Sequence, residues 1–198
     1  LPDLTRYLWG VLPRWQELPD CAKLNPARAW RLRWTKPRAL PVLVLSYPWL
    51  SNEHPDPRGS QLKSLLPILE AMVKEAQDLN GRYCTIGVMI DFCSLPQEPR
   101  SDDENARFQR GLHSMHQWYS HPFTHVLLMT GDLPSGEHSN PKPYRQRGWC
   151  YMEQRMAALV KNATLLWDFS HYSGAVSTSY KQCIRDMAHE GRQAPLSP

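Results

Sequence analysis

The sequence predicts an α/β domain with a parallel sheet and helices on both of its faces. Three observations predict it. Short apolar runs recur at 42–45, 85–90, 124–129 and 164–167, the composition of strands buried on both faces. Between them lie segments whose apolar residues repeat at helical spacing. Strand and helix alternate along the chain, as they do when parallel strands are joined by helical crossovers.

Each element has its own signal. Residues 60–79 carry Leu62, Leu65, Leu66, Leu69, Val73 and Ala76 on one helical face. Pro67 inside that helix predicts a kink or a shortened first turn, and Asn80-Gly81 a stop. Residues 104–119 form a helix with Phe108, Leu112, Met115 and Tyr119 on one face. Residues 131–147 read as a polar loop. Residues 149–161 read as a helix with an apolar stripe of Trp149, Met156, Ala157 and Val160. A last helix carries Tyr180, Cys183, Ile184 and Met187. The order fits a flavodoxin-like sheet, in which ligands bind beyond the carboxyl ends of the strands. The segments after each strand therefore matter most: Ser46 to Trp49, Asp91 to Ser94, Thr130 with Gly131, and Asp168 with Phe169.

The division expected is an N-terminal extension at 1–40 packing on the core, the α/β domain at 41–190, and a frayed tail at 191–198. In the extension, Leu4, Leu8, Leu12 and Trp15 sit at roughly helical spacing. Beyond them a basic, aromatic stretch reads as a strap whose Trp30 and Trp34 pack on the core, or as an arm for phosphate or a partner. An opening Leu1 in place of Met suggests a segment cut from a longer chain.

With 198 residues, 41% hydrophobic and 21% charged, the chain can build one real core. A net charge of +4 tolerates anionic small molecules but gives no strong nucleic-acid signal. The odd count of cysteines, at 21, 84, 93, 150 and 183, lacks CxxC spacing and argues for reduced thiols in a cytoplasmic compartment. No run is long enough to span a membrane. Phosphate-loop and dinucleotide glycine motifs are absent. His113, His116, His121 and His125 lack the partners a metal would need, so no metal is expected.

Glu153 stands out because helical spacing puts it on the inward face one turn after Trp149. A carboxylate there is costly unless it has a partner, such as Arg147, or a function. Asp91 either binds a ribose hydroxyl or starts a loop. Tyr47 and Trp49 either stack on a flat ring or pack in a loop. Gly59 and Ser60 place backbone N–H groups at a helix start, which suits a phosphate. Cys150 at a helix start is a distant candidate for a nucleophile.

These segments together resemble the TIR-domain family. Ser46 and Tyr47 after an apolar strand, with Gly59 to Leu66 opening the first helix, are similar to that domain's start. Val88 to Asp91 followed by Leu95 resembles its second strand and BB loop, and Trp149-Cys150-x-x-Glu153 its Trp-Cys-x-x-Glu helix. Residues 41–170 are covered in consistent order. The resemblance implies cleavage of the nicotinamide–ribose bond of NAD, with NAD as substrate and no other cofactor. Some members of the family also cyclise the product or exchange the base. It implies Glu153 as the catalytic carboxylate, Tyr47 and Trp49 stacking on a ring, and Asp91 and Trp149 lining the pocket. The alternative it implies is a self-associating signalling module without catalysis; the inward-facing Glu153 and its aromatic flanks favour the enzyme. A nucleoside deoxyribosyltransferase-like enzyme and a heterokaryon-incompatibility-type domain are the other relatives in view. The chain departs from the pattern in its Pro-rich segment 51–58, in a BB loop without glycine, in the insertion at 131–147 and in the N-terminal extension.

Overall fold

A computed structural model describes residues 11–24, 40–82, 84–136, 138–174 and 179–189. The expectations for Leu4, Leu8, Trp30, Trp34 and the tail at 191–198 lie outside these residues. Four parallel strands form the sheet: β1 (Val42–Ser46), β2 (Gly87–Met89), β3 (His125–Leu128) and β4 (Leu166–Asp168). Their order is β2-β1-β3-β4, so the connection reverses direction at β1, as a flavodoxin-like sheet requires. Six α-helices are described: α1 (Ser60–Asn80), α2 (Asp91–Ser94), α3 (Asp102–Ser114), α4 (His116–Ser120), α5 (Gly148–Val160) and α6 (Tyr180–Met187).

Side chains alternate across β1 and so divide the core in two. Leu43 and Leu45 face one cluster with Leu62, Ile68 and Met72 of α1 and Cys183 and Met187 of α6. Val44 faces the other, with Tyr119 of α4 and Cys150, Ala157 and Ala158 of α5. Ser46 has the parity of Val44, which sends it toward α5. That alternation is what positions the candidate site.

The elements differ from expectation in instructive ways. α1 runs unbroken through Pro67 and ends at Gly81, whose φ of 97° suits glycine. The predicted 104–119 helix is divided at Met115 into α3 and α4. α3 opens earlier than expected because Ser101 and Glu104 form a capping box. The buried face of α5 is Cys150, Glu153, Ala157 and Ala158, while Trp149 and Val160 are about half exposed. The expected stripe was therefore rotated: small residues, not bulky ones, bring this helix close to the sheet. Lys161, just past α5, is buried, and its Nζ donates to the carbonyl oxygens of His121 (2.6 Å) and Thr124 (2.7 Å) and to Thr124 Oγ1 (2.8 Å). Burial pulls that ammonium down to about 8.

In the extension, Trp15–Glu17 is a single 3-10 turn, and Leu12 lies outside any helix with its side chain in the core. Pro13 follows it and bars the helical continuation the spacing suggested. Reciprocal hydrogen bonds fasten the segment 11–24: Gln16 Nε2 donates to the Gln97 carbonyl at 2.6 Å, and the Gln97 N–H to Gln16 Oε1 at 3.0 Å. Among the described residues no helix is long and apolar enough to cross a membrane.

Candidate active site

Glu153 lies in the middle of α5 and points at the end of β1. Its carboxyl is 3% exposed. Ser46 Oγ donates to Glu153 Oε2 at 2.5 Å and contacts Tyr144 Oη at 2.6 Å. Tyr144, also buried, comes from a 3-10 turn (Tyr144–Gln146) inside the 131–147 loop. Burial pushes the Glu153 carboxyl up to about 7, while the Ser46 hydroxyl and the nearby Tyr119 and Trp149 side chains pull the other way; the Tyr119 hydroxyl also donates to the Leu45 carbonyl at 3.1 Å. All of these donors are neutral. Such a carboxyl exchanges its proton near neutral pH and can stabilise a positive charge that develops beside it.

Arg147 does not pair with Glu153. It donates to three backbone carbonyls, those of Lys142 (2.7 Å), Trp49 (2.6 Å) and Asn140 (2.8 Å). The guanidinium thereby ties the segment after β1 to the start of α5. Its fork matches spaced carbonyls as well as a carboxylate.

Asp91 does not end β2; it opens α2 one residue beyond Ile90. Tyr47 Oη donates to Asp91 Oδ1 at 2.7 Å, Trp49 Nε1 to Oδ2 at 3.0 Å, and the Phe92 N–H to Oδ1 at 2.7 Å. Burial nevertheless raises its pKa, because those neutral donors offset only part of the desolvation. Tyr47 is therefore not a free platform: it is buried and spends its hydroxyl on Asp91.

A cavity of about 880 Å³ opens beside these residues. Trp49, Asp91, Leu95 and Trp149 line it. Ser46, Tyr47, Gly59 and Glu153 are not in its lining. Trp149 joins the two parts, since it faces both the cavity and the Glu153 carboxyl. One wall is the N-terminal segment 11–24, through Leu12, Pro13 and Arg14. Sequence reasoning missed this wall and missed Tyr144, because loops without periodicity give no sign of what they touch. Arg100 also lines the cavity, stacked 3.8 Å from the Phe108 ring centre and ion-paired to Glu98.

Gly59 needs a correction. The two N–H groups expected to hold a phosphate are already engaged by the buried Asp56: Gly59 N donates to its carbonyl oxygen at 3.1 Å and Ser60 N to its Oδ1 at 2.9 Å, while Leu62 N fills Oδ2 at 2.8 Å. Gly59 serves the turn instead, with φ at 65°. Cys150 is no thiolate: its buried thiol contacts the Tyr47 carbonyl at 3.6 Å, and burial pushes it up to about 12. All five cysteines are free thiols. Among the described residues no His, Cys, Asp or Glu cluster could hold a metal. Comparison with protein-family models, with curated proteins and with solved structures finds no match, so the site stands on its own geometry.

Proposed function

We propose that this chain is a TIR-like enzyme that binds NAD or a related nucleotide in the cavity and cleaves its nicotinamide–ribose bond with Glu153. The observation that carries this reading is a buried carboxyl, held by neutral donors at the end of β1, behind a tryptophan that lines a cavity. Trp49 and Trp149 offer flat faces to a ring. As the bond breaks, nicotinamide leaves with the electron pair and the sugar gains positive charge. The ionised Glu153 stabilises that charge until water, or another acceptor, completes the reaction. Trp149 is about half exposed and heads α5, so its side chain is the one that turns aside to admit the sugar. Because the ionised form does the work, the rate rises as pH passes through about 7.

A second reading is a self-associating module in which Glu153 is structural. It is favoured by the exclusion of Glu153 from the cavity lining and by the exposed Met152, Leu159 and Val160 on α5. One experiment separates the two. Concentrated protein is incubated with NAD, and separately with deoxynucleosides, using wild type and Glu153→Gln. Nicotinamide release that falls by roughly 10³-fold or more in a folded variant supports the enzyme. Self-association without turnover supports the module, and base exchange on deoxynucleosides redirects the assignment to a transferase.

A further inference from the structure

We infer that Tyr144 is a positioning residue for Glu153, acting through the Ser46 hydroxyl as a hydrogen-bond relay whose direction reverses when Glu153 takes up a proton. Its importance for turnover rests on the reading above; the relay itself does not.

The argument is a count of protons. Ser46 and Tyr144 carry one hydroxyl proton each, and three contacts await them. These are Ser46 to Glu153 at 2.5 Å, Ser46 to Tyr144 at 2.6 Å, and Tyr144 to the Cys150 carbonyl at 3.2 Å. Two oxygens 2.6 Å apart need a hydrogen between them. An ionised Glu153 can only accept, so it takes the Ser46 proton. The Tyr144 proton must then fill the contact to Ser46, and the longest contact, to Cys150, goes without one. When Glu153 is protonated on the same oxygen, it donates to Ser46, Ser46 donates to Tyr144, and Tyr144 donates to the Cys150 carbonyl. Only the ionised arrangement ends on a charge, and donation into a charged acceptor strengthens the chain behind it. Tyr144 therefore favours the ionised form.

The relay is built rather than incidental. Ser46, Tyr144 and Glu153 are all nearly inaccessible, and Tyr144 packs with Val44 and Leu128. The groups facing Glu153 are Ser46 from β1, Tyr119 from α4, Trp149 and Cys150 from α5, Tyr144 from its loop, and Asp91 from α2, whose charge opposes ionisation.

The test follows the ionisation of Glu153 by infrared or carbon NMR titration, without substrate, in wild type, Tyr144→Phe and Ser46→Ala. Tyr144→Phe raises the midpoint by roughly one pH unit, and Ser46→Ala raises it further. Should Tyr144→Phe fold poorly, 3-fluorotyrosine installed at Tyr144 keeps the shape, makes the phenol a stronger donor, and lowers the midpoint. A midpoint that stays put or moves the other way in either Tyr144 substitution overturns the relay. If the midpoint moves as expected while wild type never releases nicotinamide, the relay stands and the proposed activity falls. If the protein is active, the acid limb of its pH profile moves with the titration.

Discussion

Glu153 and Asp168 are equally hidden, at 3% and 2% exposed, and both belong to the α5 side of the sheet. The register aligns Ser46, which holds Glu153, with Leu128, and Leu128 with Asp168, so the two acids meet one row of the sheet. Yet burial pushes Glu153 up to about 7, whereas Asp168 sits below its ordinary value. Two things differ: Glu153 is desolvated more deeply, and the two acids have different supplies of donors. Asp168 ends a strand, where the chain turns and offers free groups. Its Oδ1 accepts from the Ser170 N–H at 3.0 Å, the Ser170 hydroxyl at 2.6 Å and the Thr130 hydroxyl. Burial pushes it up as well, but those bonds outweigh burial, and Arg145 stands 3.7 Å away. Glu153 rises from mid-helix, where neighbouring N–H groups are already committed to the helix. Apart from Trp149 one turn earlier on the same helix, its donors must come from other elements, and only a few reach it. Two acids with equally little exposed surface thus become a stable anion in one place and a titrating carboxyl in the other.

The comparison can be broken from either end. The largest effect is expected at Asp168. Asp168→Ala strands Thr130 and both Ser170 donors and costs roughly 3 kcal/mol at pH 7, read by urea unfolding. Asp168 stabilises above its unfolded pKa and loses that contribution as pH falls through its lower folded value, so the deficit shrinks in acid. A deficit independent of pH would show that shape, not charge, mattered there.

Glu153 should behave in the opposite sense. Its folded pKa of about 7 lies above the ordinary 4.5, so its contribution is complete below 4.5 and lost as pH rises through 7. The loss amounts to roughly 3 kcal/mol. Glu153→Gln removes that slope and is the more stable protein at pH 8. Parallel stability curves for wild type and variant between pH 5 and 8 would sink this account.

The smallest effect is expected at Asp91, which lies between the two cases. Trp49→Phe keeps a ring but removes one of three donors to Asp91, at a cost of about 1 kcal/mol in thermal or urea unfolding. A loss beyond roughly 3 kcal/mol would mean that Trp49 carries packing that its partial exposure does not suggest.

Much of this architecture was legible in the residues. Apolar runs identified all four strands, and helical spacing identified α1, α5 and α6, because burial on a periodic element leaves a periodic trace. Glu153 could be seen to point inward for the same reason. Parity along Val42–Ser46 carried the direction of Ser46 as well, although its partner was out of view.

What remained hidden depended on contacts between elements distant in the chain. Asp56 occupying the helix start, Arg147 choosing carbonyls over a carboxylate, Tyr144 reaching Ser46 across 98 positions, and the segment around Leu12 walling the cavity leave no local pattern. A single sequence records which side chains avoid water. Which donor meets which buried acceptor is settled only when the sheet brings its strand ends together, because a hydrogen bond depends on distances of a few tenths of an ångström that no spacing encodes.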